Sequence, residues 1–115
     1  MNNYFIIGKV NEGKSHLFNL FSKDHKTISN PKENTTVDII RKLIQHQKYS
    51  YHLYDTPGFY TLKEFNLLLK RIKHICLSKI QFIYLSEIFT DKDLKICKLI
   101  KKKKYSILFF SFNNN

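Results

Sequence analysis

Along this chain, short unbroken runs of apolar residues take turns with longer stretches in which apolar positions recur every three or four residues. Tyr4 to Ile7 is a run of the first kind and stops at Gly8, as a buried strand does on entering a tight turn. Leu17, Phe18, Leu20 and Phe21 then form one broad apolar face, which predicts a helix, before residues 22–34 become polar around Pro31 in the manner of a surface loop. Val37 to Ile44 fits a strand or a helix. Tyr49 to Tyr54 alternates well enough to be its hairpin partner, and both readings end at Asp55. Thr61 and Glu64 have capping-box spacing, and Leu62, Phe65, Leu68, Leu69, Ile72, Ile75 and Cys76 behind them predict an amphipathic helix. Ile80 to Leu85 reads as a buried strand, Thr90 and Asp93 as caps of a helix carrying Leu94, Cys97, Leu99 and Ile100, and Tyr105 to Phe112 as a last strand. Alternating strands and helices predict an α/β fold with a mostly parallel sheet. No repeat or linker divides it, so residues 1–115 read as a single domain.

Composition narrows the class. A chain of 115 residues, 43% of them hydrophobic, buries roughly two-thirds of its unfolded surface and can form one core. Its apolar runs fall short of the ~20 residues of a spanning helix, and Met-Asn-Asn-Tyr lacks the basic start of a secretory leader. A soluble, cytoplasmic protein with no membrane partner is expected. Cys76 and Cys97 lie among apolar neighbours without zinc-binding spacing, and read as reduced core residues. The formal charge of +11 favours a polyanionic partner such as RNA. The absence of alanine and tryptophan, with abundant Lys, Asn, Ile, Phe and Tyr, also fits A/T-rich codons. The lysines around Lys70 to Lys73 and Lys101 to Lys104 are therefore either solvated helix faces or contacts to RNA phosphates.

The sharpest chemistry lies in GKVNEGKS, at Gly8 to Ser15. A nucleoside triphosphate crowds negative charge into a few ångströms, so backbone N–H groups and a cation must approach it without side chains in the way. Gly8 and Gly13 free the loop Gly8, Lys9, Val10, Asn11, Glu12, Gly13 to wrap phosphates, and Lys14 reaches the β and γ oxygens. The helix that starts with Ser15 and His16 aims its dipole at them. Ser15 supplies a hydroxyl for magnesium. The strand, loop and helix fall in the order this motif requires. About forty residues on comes Asp55-Thr56-Pro57-Gly58. There Asp55, at a strand end, suits magnesium held through water, and the Gly58 N–H suits the γ-phosphate. Every one of the chain's three glycines thus falls in one of these two motifs. Between them, Thr36 of the Thr35-Thr36 pair is the candidate third magnesium ligand of a switch loop.

These residues resemble the Era-like branch of translation-factor-related GTPases. GKVNEGKSHLFNLF is similar to GxPNxGKSxLxN, NTTVD to the switch segment GTTRD, and YHLYDTPGF to the branch's strand and DxPG. Within the branch the closest resemblance is to the Der (EngA) family, carried by LFN after the phosphate loop, the start of the domain within ten residues of the first, and DKDLKICKLIKKKKYSILFF. MnmE-type and Era-type proteins share the phosphate motifs. The resemblance implies a three-layer P-loop NTPase (G-domain) fold with about five strands. It also implies GTP hydrolysis with magnesium by in-line attack of water, and a role in assembling the large ribosomal subunit, with ribosomal RNA as partner. Lys14, Asn11, Thr36 and Gly58 are then the catalytic set. Asn11 is the counterpart of an asparagine that, in several members, helps hold a potassium ion in place of an arginine finger. Ras-like enzymes carry a water-orienting glutamine after DxxG, where this chain has Phe59.

The pattern breaks at the base. The guanine-reading NKxD falls without gaps on Ser111, Phe112, Asn113 and Asn114. Asparagine offers one acceptor and one donor where aspartate offers two acceptors, which predicts GTP binding weakened by about 2–4 kcal/mol and a shift toward xanthine nucleotides. The expected domain lacks its final strand and helix, leaving Ser106 to Phe112 as an exposed edge open to a partner chain. Three roles compete at this level: a GTP-hydrolysing enzyme, a nucleotide-dependent RNA- or ribosome-docking module with little hydrolysis, and a remnant without a stable fold.

Overall fold

The computed structural model describes residues 2–9, 14, 17–18, 26–27, 33–34 and 39–111. Strands β1 (Asn2–Gly8), β2 (Lys26–Thr27), β3 (Glu33–Asn34), β4 (Ile40–His46) and β5 (Tyr49–Asp55) are followed by helix α1 (Leu62–Ile75), strand β6 (Ile80–Leu85), helix α2 (Asp91–Lys102) and strand β7 (Ser106–Phe110). Lys14, Leu17 and Phe18 have helical backbone. The five longer strands lie in the order β4-β5-β1-β6-β7, and the two-residue strands β2 and β3 both pair with β4. Strands β5, β1, β6 and β7 run parallel, and β4 is antiparallel to β5. This is the mostly parallel α/β sheet that the alternation of patterns predicts.

The ambiguous segment after Val37 is therefore a strand from Ile40. It pairs with β5 in continuous register from Ile40 opposite Asp55 to His46 opposite Tyr49, with Gln47 at positive φ in the turn. Central strand β1 is buried on both sides, as an unbroken apolar run requires. Phe5 and Ile7, with Tyr54, Phe82 and Tyr84 of the neighbouring strands, face α1 and α2 and pack on Phe65, Leu68, Leu69, Ile72, Ile96, Cys97 and Ile100. Ile6 faces the other way with Ile44, Leu53, Ile83 and Leu85, against Leu17 and Phe18. Two layers of side chains thus enclose the sheet. Leu20 and Phe21, also assigned to that helix, lie outside the described residues.

Helix ends follow local chemistry. The Thr61 side chain accepts from the Glu64 N–H at 3.1 Å, and Glu64 Oε1 accepts from the Thr61 N–H at 3.1 Å, closing the predicted capping box. Helix α2 ends in a Schellman-type turn: the Lys104 N–H donates to the Lys101 carbonyl and the Tyr105 N–H to the Ile100 carbonyl, with Lys104 at φ 66° where glycine is usual. Two assignments need correction. Leu62 and Leu94 are 38% and 42% exposed, while Ile96 is fully buried. Leu94 lies one residue off the buried stripe of Asp93, Ile96, Cys97 and Ile100, and Leu62 is the first residue of α1, ahead of the buried stripe that begins at Phe65. Cys76 and Cys97 are free and buried, as expected.

Candidate functional site

The chain leaves β1 toward the sheet face covered by Leu17 and Phe18, and leaves β5 and β6 toward the face covered by α1 and α2. Where connections diverge in this way, a crevice opens beyond the carboxyl ends of the strands. Gly8, Asp55 and Leu85 end the three central strands there, and both predicted phosphate motifs begin at that rim.

Gly8 is required by space. A Cβ on it would lie 2.6 Å from the Leu85 carbonyl oxygen, its partner across the β1–β6 ladder, and 3.6 Å from Lys14 Cγ. Absence of that carbon lets the first residue of the loop pass close to β6. Lys14 is only 8% exposed and donates from Nζ to the Lys9 carbonyl at 3.4 Å, so its ammonium is folded back over the start of its own loop.

The second motif is stitched beside the first. Asp55 stands opposite Ile6, the Thr56 hydroxyl donates to the Ile6 carbonyl at 2.7 Å, and Lys9 forms a parallel bridge with Phe59. Asp55 and Thr56 are both buried, and Pro57 and Gly58 are half-buried. Phe59 is 1% exposed and packs 5.2 Å from Phe65 and 6.5 Å from Tyr84, centroid to centroid. Its side chain is spent in the core, which agrees with its inability to orient a water. Behind the turn, Pro57, Gly58, Phe59, Glu64, Leu68 and Arg71 line a hollow of about 280 Å³.

One group at this rim escaped sequence reasoning as anything more than a cap. Asp93 is fully buried, and its Oδ2 lies 3.0 Å from Lys9 Nζ. The same oxygen accepts from the Thr90 N–H at 2.8 Å and the Thr90 hydroxyl at 2.9 Å, while Oδ1 accepts from the Tyr84 hydroxyl at 2.6 Å. Burial pushes the carboxyl upward, but the Tyr84, Thr90 and Lys9 donors outweigh it and hold Asp93 below the usual carboxylate range. Lys9 also donates to the Ile88 carbonyl at 3.5 Å. The Lys9 side chain thus points sideways to α2, and any contact it offers a phosphate is through its backbone. A buried acid three residues after a threonine signals a cap, but nothing local in the sequence signals a partner at Lys9.

The structure therefore brings together Gly8, Lys9, Lys14, Asp55, Thr56, Pro57 and Gly58. Val10, Asn11, Glu12, Gly13, Ser15, His16, Thr36, Asn113 and Asn114 lie outside the described residues. For magnesium, the described residues contain no cluster of three or more His, Cys, Asp or Glu. The buried carboxylate of Asp55 at the end of β5 still fits that ion, which keeps several waters and takes one or two carboxylates plus phosphate oxygens.

Against known proteins, the model of the family described as 50S ribosome-binding GTPase matches residues 3–113. The chain belongs to that family. Over 107 residues it is 33% identical to the tRNA modification GTPase MnmE of Ureaplasma parvum serovar 3, covering 90% of this chain and 24% of that protein. Over 111 residues it is 32% identical to the GTPase Der of Rippkaea orientalis, covering 90% and 25%. The chain thus spans about a quarter of these curated relatives. The cytosolic domain of the T. maritima FeoB iron transporter, in a GDP form, superposes with a TM-score of 0.51 at 16% identity, covering 96% of this chain and 56% of that one. That likeness supports the G-domain fold alone. Among the described residues, this member of the 50S ribosome-binding GTPase family has no helix long and apolar enough to cross a membrane.

Proposed function

We propose that this chain acts as one domain that binds GTP with magnesium in the crevice at the ends of β1 and β5, hydrolyses it by in-line attack of water, and serves ribosome assembly in the cytoplasm as the Der resemblance implies. One observation carries the reading. Lys14 and the Asp55 to Gly58 turn converge at the ends of adjacent parallel strands, tied by the Thr56–Ile6 hydrogen bond and the Lys9–Phe59 bridge. In this reading Lys14 exchanges the Lys9 carbonyl for the β and γ oxygens and offsets their charge. Gly13 and its neighbours Val10 and Glu12 contribute N–H donors. Ser15 and Thr36 ligate the ion directly and Asp55 does so through water. The Gly58 N–H meets the γ-phosphate, and Asn11 helps hold potassium. Asn113 and Asn114 meet the base, weakening GTP binding and shifting the preference toward xanthine nucleotides.

Turnover of GTP by the purified chain tests this, with Lys14→Ala as the partner measurement. Removing a charge-assisted contact of about 2–4 kcal/mol should weaken nucleotide binding about thirty- to a thousandfold and abolish hydrolysis. Turnover that persists unchanged in that variant, or is indifferent to exchanging potassium for sodium, would contradict the assigned roles of Lys14 and Asn11 respectively.

The burial of Phe59 favours a second reading, a nucleotide-dependent docking module with slow hydrolysis. Lys70, Lys73 and Lys101 to Lys104 are exposed on α1 and at the end of α2, where ribosomal RNA phosphates would meet them. Strong binding to an RNA oligonucleotide that collapses with added salt, alongside turnover slower than nucleotide release, would select this reading.

A further inference from the structure

We infer that Asp93, in the first turn of α2, is a positioning residue for the phosphate loop, acting through Lys9 on the backbone that Lys14 holds. The inference rests on the reading of the crevice as a nucleotide site. Its starting point is a contrast between two capping residues. Glu64 reaches back to the N–H of Thr61 while exposed to water, and Asp93 makes the same reach to Thr90 while fully buried. Capping therefore does not demand burial, and burying a carboxylate is costly unless it is well partnered. What burial adds at Asp93 is the Tyr84 hydroxyl on one oxygen and the Lys9 ammonium on the other.

Lys9 is the residue through which that anchor acts. It follows Gly8, which fits against Leu85 only because it has no Cβ, and it bridges Phe59 of the second motif. Its carbonyl receives the Lys14 ammonium. Its own ammonium is a second cation at the mouth of a polyanion site. Left loose, it would be drawn toward the phosphates and would drag the first peptide of the loop with it. Asp93 holds that charge against α2, so the phosphates meet Lys14 and the loop amides in a fixed arrangement. Tyr84, on the strand between the two, keeps the carboxylate itself from rotating.

The test is a titration of the full chain with the fluorescent analogue mant-GDP, with thermal melting alongside. Wild type is compared with Asp93→Asn, Lys9→Met, the double variant and Lys9→Arg. Asp93→Asn and Lys9→Met should each raise Kd about tenfold, the double variant should be no worse than either, and Lys9→Arg should restore near-wild-type affinity. The inference is overturned if Asp93→Asn melts earlier yet binds as wild type does, or if the two single effects multiply in the double variant. Should Asp93→Asn fail to fold, the Lys9 pair decides: wild-type affinity in Lys9→Met overturns it, and loss in Lys9→Met with recovery in Lys9→Arg upholds it. Wild type that binds no mant-GDP would refute the crevice reading itself, and the inference with it. That outcome differs from the others because it appears before any substitution is made.

Discussion

Replacing Gly8 by alanine places one methyl group where the structure has no room. The new carbon would start 2.6 Å from the Leu85 carbonyl oxygen, whereas carbon and oxygen settle at about 3.3 Å or more even when weakly attracted. A relief of about 0.7 Å is needed, and neither side yields easily: the oxygen is backbone and the new carbon is bonded directly to backbone in the β1–β6 ladder, with Ile6, Ile7, Ile83 and Tyr84 buried on either side. Overpacking of this kind costs about 1–3 kcal/mol. The stiffer unfolded chain returns about 0.4–1 kcal/mol, leaving a net loss of about 1–2 kcal/mol. For a chain of this size that lowers Tm by about 4–10 °C. The strain falls at the root of the phosphate loop, so mant-GDP affinity should drop at least about tenfold, in line with the sensitivity of bound geometry to shifts below an ångström. Circular dichroism melts and fluorescence titration read the two effects. A variant that melts within about 1 °C of wild type and binds with unchanged Kd would refute the argument that close strand approach is why glycine stands here.

Phe59→Ala should destabilise the domain by about 3–5 kcal/mol, because a ring 1% exposed between Phe65 and Tyr84 leaves a cavity; a urea midpoint close to that of wild type would contradict its role as a core anchor. Lys104→Gly should stabilise by about 1 kcal/mol by removing a side chain from a φ of 66°, visible as a rise in Tm. The Asp93 carboxyl is held below its ordinary value of 3.8 in the folded chain, so its stabilising effect is complete above the unfolded pKa and drains away as pH falls through the folded one. Melts in acid should accordingly lose stability more steeply for wild type than for Asp93→Asn, and parallel curves would contradict the ionised, buried state.

That Gly8 and Asp55 end adjacent strands was legible in the sequence because each closes an apolar run, a local signal. Helix α1 was legible for the same reason, since Thr61 and Glu64 report their cap within four residues. Strand β4 was not, because a short apolar run reads alike in strand and helix until β5 supplies its register. The exposure of Leu94 and burial of Ile96 depended on how α2 rotates over the sheet, a tertiary choice. Asp93 shows the limit most plainly. Its spacing from Thr90 announced a cap, but its pairing with Lys9 joins distant parts of the chain that only the fold brings together, and no periodicity encodes it.

The strand order has a consequence for how the chain is made. Within this domain strand β1 is made before either of its neighbours, residues 51–55 and 80–85, so its hydrogen-bonding edges wait for both. Until β6 arrives, Phe5, Ile6 and Ile7 form a sticky ribbon with one side unmet, which makes the nascent segment dependent on shielding while ribosomes complete it. Gly8, where the predicted phosphate motif starts, ends that strand, so nucleotide should be captured only after β6 has paired with it.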